Sequence, residues 1–130
     1  MRLYLVRHAQ AEPGEPDELR RLTSAGRTAA RELARRLVEN DPPDVVLTSP
    51  LLRARETAEA IARAAGVEAE PDERLAPGAT SEDVLEVIAG RGAHIVVVGH
   101  QPDCGLIAAE LLDGAAPPFP PAGLVELDLD

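Results

Sequence analysis

The sequence predicts an α/β protein built on a mostly parallel sheet, and three stretches predict it. Leu3-Tyr4-Leu5-Val6 runs into Arg7-His8, Val45-Val46-Leu47 into Thr48-Ser49-Pro50, and Ile95-Val96-Val97-Val98 into Gly99-His100-Gln101-Pro102. Each is a short apolar run, with β-branched residues prominent, followed by a segment of helical period. That alternation is the mark of βα units in a parallel sheet. Strands of such a sheet point the same way, so the loops at their carboxyl ends share one edge, where ligands bind. The pattern therefore directs Arg7, His8, Arg53 and His100 toward one pocket.

Taken in order, the first strand covers roughly residues 2 to 6, and a polar loop with Pro13, Gly14 and Pro16 runs from Ala11 to Leu22. Thr23 is placed to cap a helix whose buried face is Ala30, Leu33, Ala34, Leu37 and Val38. Arg27, Arg31 and Arg35 flank that face as a solvated stripe. Asn40-Asp41-Pro42-Pro43 ends the helix, and the second strand leads to Thr48-Ser49-Pro50. The next helix buries Ala54, Ala58, Ile61 and Ala65 and closes at Gly66. Arg53 falls in its first turn, where a cation is disfavoured unless an anion is shared between the side chain and the backbone amides.

A short strand is expected over Val67 to Glu70, then a Pro/Gly-rich connection through Pro71, Pro77 and Gly78. Thr80-Ser81-Glu82-Asp83 reads as a capping box opening a helix with Val84, Leu85 and Ile88 inside. Gly90-Arg91-Gly92 turns into the strand Ile95 to Val98. After Pro102 comes a helix carrying Ile107, Ala108, Leu111 and Leu112, closed by Gly114. Pro117 to Pro121 form a loop, and Leu124, Val125, Leu127 and Leu129 a final strand. No internal repeat is visible, so residues 1–130 read as a single domain.

Composition limits what the pocket can serve. Hydrophobic residues make up 45% of the chain and aromatics 2%, which assigns the core to Leu, Val, Ile and Ala. A net charge of -10 argues against a general nucleic-acid binder, which needs a basic footprint. All 13 basic residues are Arg, and no function is drawn from that alone. The single Cys104 forms no internal disulfide, and neither a signal peptide nor a run of about 20 apolar residues is present. These features lead us to expect a cytoplasmic protein with no membrane partner.

Neutral imidazole can act as a nucleophile toward phosphorus, splitting one displacement into two easier ones. A transferring phosphoryl group spreads its charge over several oxygens, so catalysis is mostly positioning and electrostatic stabilisation. Planar guanidinium groups suit that task because each grips two oxygens. Arg7 and Arg53 with His8 and His100 supply these parts without metal or cofactor, and the guanidinium charges favour neutral His8. His94 precedes its strand and lies at the opposite edge, which argues against a three-His metal site. Arg55 reads as a surface residue, and Cys104 as a small buried one.

Leu5-Val6-Arg7-His8-Ala9, Thr48-Ser49-Pro50-Leu51-Leu52-Arg53-Ala54-Arg55-Glu56-Thr57 and Val98-Gly99-His100 together resemble the motifs of the histidine phosphatase superfamily, also called phosphoglycerate mutase-like. They stand in the family's order and span nearly the whole chain. Arg20-Arg21-Leu22-Thr23-Ser24-Ala25-Gly26 and Gly99-His100-Gln101-Pro102 are similar to segments of its SixA-like phosphohistidine phosphatases. The resemblance implies a three-layer α/β/α sandwich. It implies His8 as the nucleophile, Arg7 and Arg53 on the phosphoryl oxygens, and His100 stabilising the transferring group. Arg20 is either a further substrate contact or an exposed loop charge, and the Gln101 amide could add a hydrogen bond.

Two departures qualify the resemblance. The usual Arg-His-Gly is Arg7-His8-Ala9, which leaves the chemistry untouched. Larger members commonly carry a Leu-x-Glu acid where this chain has Leu75-Ala76-Pro77, and a phosphomonoester needs its alkoxide protonated on leaving. A phosphoramidate nitrogen can be protonated before the bond breaks, so phosphohistidine on a protein is the expected substrate. Glu73, Glu12 and Asp103 remain candidate acids for the alternative, a small phosphorylated molecule. A non-catalytic phosphate-binding module is the reading from another class.

Overall fold

The computed structural model of this protein describes residues 1–129; Asp130, the last residue of the expected domain, lies outside them. Strands β1 (Arg2–Arg7), β2 (Val45–Thr48), β3 (Ala69–Pro71), β4 (His94–Gly99) and β5 (Leu124–Asp128) form one sheet in the order β3-β2-β4-β1-β5. The first four are parallel, and β5 runs antiparallel to β1. Helices α1 (Ser24–Asn40), α2 (Leu52–Ala65), α3 (Ser81–Ile88) and α4 (Asp103–Leu112) connect them.

The layering follows from the direction of travel across the sheet. From β1 the chain moves through α1 to β2 and through α2 to β3, always toward the same edge. It then returns through α3 to β4, which inserts between β2 and β1. Right-handed crossovers place helices of opposite travel on opposite faces. Accordingly Tyr4, Val6, Val46, Val96 and Val98 pack against α1 and α2. Leu3, Leu5, Leu47, Ile95 and Val97 pack against α3 and α4 on the other side. The inner strands β1, β2 and β4 are buried on both faces, which is why they read as continuous apolar runs, whereas the edge strands β3 and β5 keep exposed residues. None of the helices is long and apolar enough to cross a membrane.

Local chemistry sets the helix ends. Thr23 accepts from the Gly26 N–H at 2.9 Å. Gly26 itself is required by a close approach, since a Cβ there would lie 2.1 Å from the Gln10 carbonyl oxygen. Gly66 closes α2 at φ 75, and Thr80 with Asp83 forms the capping box of α3.

Several boundaries differ from expectation. The left-handed residue that ends α4 is Asp113 at φ 54, ahead of Gly114, a conformation aspartate tolerates because its short side chain can bond locally. The third strand is Ala69–Pro71, not residues 67 to 70; the Val67 N–H is instead taken by the Ala62 carbonyl at the end of α2, at 3.0 Å. Within α3, Leu85 is exposed and Val87 joins Val84 and Ile88 inside. Leu112 is likewise exposed. Two 3-10 turns, Asp17–Leu19 and Glu73–Leu75, occupy stretches without periodic signal.

At the amino end of the sheet, the buried Tyr4 hydroxyl donates to Asp41 Oδ2 at 2.7 Å. Arg2 donates to the same oxygen and to Asp128, each at 3.0 Å. His94 Nε2 lies 3.5 Å from Asp41 Oδ1. Arg27, Arg31 and Arg35 are exposed along α1, with Arg35 paired to Glu32 and Glu39.

Candidate active site

Strand register assembles the pocket. Arg7 pairs with Gly99 and Thr48 with Val98, so the residues that follow, His8, His100 and Ser49, emerge side by side. The His8 N–H donates to the Gly99 carbonyl and the Ser49 N–H to the Val98 carbonyl, both at 3.0 Å. The two imidazole centroids stand 5.3 Å apart, tilted by 59°.

His8 is half-buried, and its Nδ1 lies 2.7 Å from the Ala9 carbonyl oxygen. A carbonyl only accepts, so Nδ1 carries the proton and the Nε2 lone pair is left free. Burial lowers the His8 pKa below the ordinary value of 6.5; the Ala9 bond opposes this, and Arg53, Arg7 and Arg20 add to the lowering. The guanidinium charges named from sequence are therefore secondary to desolvation, because a ring shut away from water loses hydration of its charged form first. The loop after His8 is anchored by the Ala9 N–H, which donates to Thr57 Oγ1 at 3.0 Å. The Thr57 hydroxyl in turn donates to the Arg53 carbonyl at 2.9 Å.

His100 is 5% exposed. Its Nε2 lies 2.7 Å from Ser49 Oγ, which also accepts the Leu51 N–H at 3.2 Å. Burial pushes the His100 pKa down to about 4, with His8 and Arg53 contributing and Asp17 opposing. The ring is thus neutral near pH 7, and its Nδ1 is buried without a hydrogen-bond partner.

The arginines are held but not saturated. Arg7 donates from Nη1 to the Phe119 carbonyl at 2.9 Å, while its buried Nε has no partner. Arg53 is buried; its Nη1 donates to the Asp17 carbonyl at 2.9 Å, and its Nη2 to Asp17 Oδ2 at 3.2 Å. Arg20 donates from Nε to the Glu12 carbonyl at 2.7 Å and from Nη1 to Asp17 Oδ1 at 3.0 Å. It shares the Asp17 carboxylate with Arg53, which ties its loop to the pocket. The Asp17 carboxyl is held below its usual range, first by the Arg20 bond and also by Arg53, against an opposing contribution from burial.

The remaining candidates separate clearly. The Gln101 side-chain oxygen accepts the Gly105 N–H at 2.8 Å and so caps α4, while its side-chain NH2 and backbone amide stay open to a ligand. Asp103 accepts the Gly78 N–H at 2.7 Å. Glu12 faces Arg21 at 3.3 Å. Glu73 is exposed on its 3-10 turn. Arg55 is half-buried with an unpartnered Nε, not the plain surface residue expected, because it lies on a helix flank that the core partly covers. Cys104 is buried, with its thiol pushed up to about 12 by desolvation, and is inert.

Sequence reasoning missed Asp17, Ser49 and Thr57 as site builders. Ser49 was legible as the register partner that precedes Pro50, and Thr57 as the residue one turn after Arg53. The arrangement can bind an oxyanion between guanidiniums and imidazoles and present a neutral nucleophile to it. Among the described residues no group of three or more His, Cys, Asp or Glu is arranged to hold a metal ion.

Comparisons with known proteins agree with this architecture. The model of the histidine phosphatase superfamily (branch 1) matches residues 3–77. An uncharacterised protein of Picosynechococcus sp. is 38% identical over 115 residues, covering 81% of this chain and 69% of that protein. The structure of the protein histidine phosphatase SixA complexed with tungstate superposes with a TM-score of 0.89 at 27% identity, over 100% of this chain and 89% of that one. A SixA-type phosphohistidine phosphatase candidate from Agrobacterium tumefaciens gives a TM-score of 0.83 at 31% identity, covering 99% and 92% of the two chains. A mycobacterial glucosyl-3-phosphoglycerate phosphatase shares the fold, at 21% identity and a TM-score of 0.76 over 96% of this chain and 88% of that one.

Proposed function

Because the chain belongs to the histidine phosphatase superfamily, we propose that it is a phosphatase that removes the phosphoryl group from phosphohistidine on a protein partner. The observation that carries this reading is the His8 ring: neutral, with its proton held on Nδ1 by the Ala9 carbonyl, and flanked by His100 and guanidiniums with donors to spare. In the first step the Nε2 lone pair attacks phosphorus. The bond from phosphorus to the substrate imidazole nitrogen breaks, and that ring, already protonated on its other nitrogen, takes the bonding pair and leaves as neutral imidazole. Arg7, Arg53 and His100 bind the non-bridging oxygens, whose charge they stabilise as it shifts. Water then attacks the phosphorylated His8, releasing phosphate and restoring the free ring.

The placement of the acids supports this substrate class. Asp103 and Glu12 are engaged elsewhere, and Asp17 is held ionised between two arginines. An alkoxide leaving group would lack a placed proton donor, whereas an imidazole leaving group needs none of that strength. Side-by-side rates on a phosphohistidine-bearing protein and a panel of small phosphomonoesters test the reading, with chelator present and absent. Preference for phosphohistidine, unaffected by chelator, is expected. Efficient ester turnover that is lost in Glu73→Gln would instead make this a small-molecule phosphatase.

A further inference from the structure

We infer that Asp17 is a positioning residue for the phosphoryl-binding arginines, holding Arg53 and Arg20 together through its carbonyl and both carboxylate oxygens; this rests on the pocket reading above. The contacts are the 2.9 Å and 3.2 Å bonds from Arg53 and the 3.0 Å bond from Arg20. Arg53 is buried and stands in the first turn of α2, where the backbone N–H groups already present partial positive charge. A guanidinium in that position needs a counter-charge, and among the described residues both of its acceptors belong to Asp17. Asp17 supplies the counter-charge to the Arg53 side chain and makes no bond to the α2 amides, so the anion that the sequence reading shared between side chain and amides is not Asp17.

Holding the arginines does not consume them. A guanidinium has five N–H donors. Asp17 takes two of those on Arg53, and Arg20 spends one on Glu12 and one on Asp17, so each keeps three for other oxygens. The 3-10 turn that carries Asp17 buries none of its residues, and Leu19 beside it is 59% exposed. Its tie to the body of the protein is polar, through the arginines it orients.

A rival role makes the opposite prediction. If Asp17 merely competed with phosphate for the arginines, or acted only as a nearby negative charge, removing that charge would tighten anion binding by simple Coulomb attraction. If it positions them, the same substitution weakens binding although the pocket has become more positive. The sign of the effect separates orientation from charge.

The experiment is calorimetric titration of inorganic phosphate into the full chain and into Asp17→Asn, Asp17→Ala, Arg20→Ala and the Asp17→Ala/Arg20→Ala pair, with an unfolding midpoint for each. We expect the dissociation constant to rise about tenfold in Asp17→Ala and less in Asp17→Asn, which keeps its carbonyl and one side-chain oxygen. Every variant should remain folded at the temperature of the titration, with a lowered midpoint where the Asp17 carboxylate is gone, and Asp17→Ala should cost less phosphate affinity in the Arg20→Ala background. Unchanged or tighter phosphate binding in both Asp17 variants, or full additivity with Arg20→Ala, overturns the inference. Absence of phosphate binding by the unsubstituted protein overturns the pocket reading with it. Phosphate binding without phosphohistidine turnover overturns the substrate assignment alone.

Discussion

The two ends of the paired strands β1 and β4 carry the same kinds of residue and use them differently. At the amino end, Arg2 is the register partner of His94, and both find acids: Asp41 serves Arg2, His94 and Tyr4, while Asp128 takes the other side of Arg2. At the carboxyl end, Arg7 and Gly99 are partners and His8 and His100 follow. There Arg7 Nε and His100 Nδ1 are buried without partners, and a single carboxylate, Asp17, is divided between two arginines. Satisfied groups hold the sheet together. Groups held short of satisfaction keep donors and a lone pair for a ligand, and they lie where α2 and α4 begin, so the helix termini reinforce the preference for an anion.

This contrast breaks first at His8. His8→Ala should remove phosphatase turnover and any phosphorylated protein intermediate, at least a thousandfold in rate; turnover within tenfold of the parent would refute the assignment. Next comes a matched pair, Arg53→Lys and Arg2→Lys. Lysine cannot reproduce a planar fork, so Arg53→Lys should lower kcat/KM about a hundredfold. Arg2→Lys should change it less than twofold, and equal losses would erase the distinction between the two ends.

Asp41→Ala probes the amino end from the other direction. It removes the 2.7 Å acceptor of the buried Tyr4 hydroxyl, leaving only the residue 41 backbone carbonyl at 3.3 Å, and should cost about 1 kcal/mol in denaturant unfolding while leaving turnover per folded molecule unchanged. A large loss of activity without a loss of stability would reverse the roles.

The smallest effect is in pH. If His8 attacks as the neutral ring, its folded pKa below 6.5 means that kcat/KM should hold its plateau as pH falls through 6.5 and decline only on further acidification. His100 stays neutral down to about 4, whereas the unfolded ring protonates near 6.5. Its contribution to stability is therefore full above 6.5 and is lost as pH falls from there toward about 4. Urea midpoints that rise over that interval would contradict the burial of both rings.

Much of this was legible in the sequence because the informative signals are contiguous. An apolar run that stops at Arg7-His8, Ser49 or Gly99-His100 announces both the strand and what stands at its end. Thr23, Gly66 and the Thr80 box declared helix ends by local chemistry alone. Other features depend on contacts that no local window contains. Asp17 lies in a loop of Pro, Gly and acids, and its partner Arg53 is 36 residues away. The three-residue turns have no period to detect, and the antiparallel direction of β5 is set by where the Pro-rich return from α4 delivers the chain. The assignment of α4's end to Gly114 failed because a preference for glycine is statistical, and Asp113 adopts the required backbone one residue earlier.

The side-by-side emergence of His8 and His100 from hydrogen-bonded neighbours also constrains how relatives of this chain can vary in length. Adding or deleting one residue within β1 or β4 would turn one ring to the opposite face of the sheet and exchange its apolar residues between the two cores. Loops such as residues 10–22 or 113–123 carry no such register penalty, provided that Asp17 and the Phe119 carbonyl still reach their arginines. Insertions and deletions should therefore accumulate between the elements, while the two strands keep a fixed number of residues from their first paired position to their histidines.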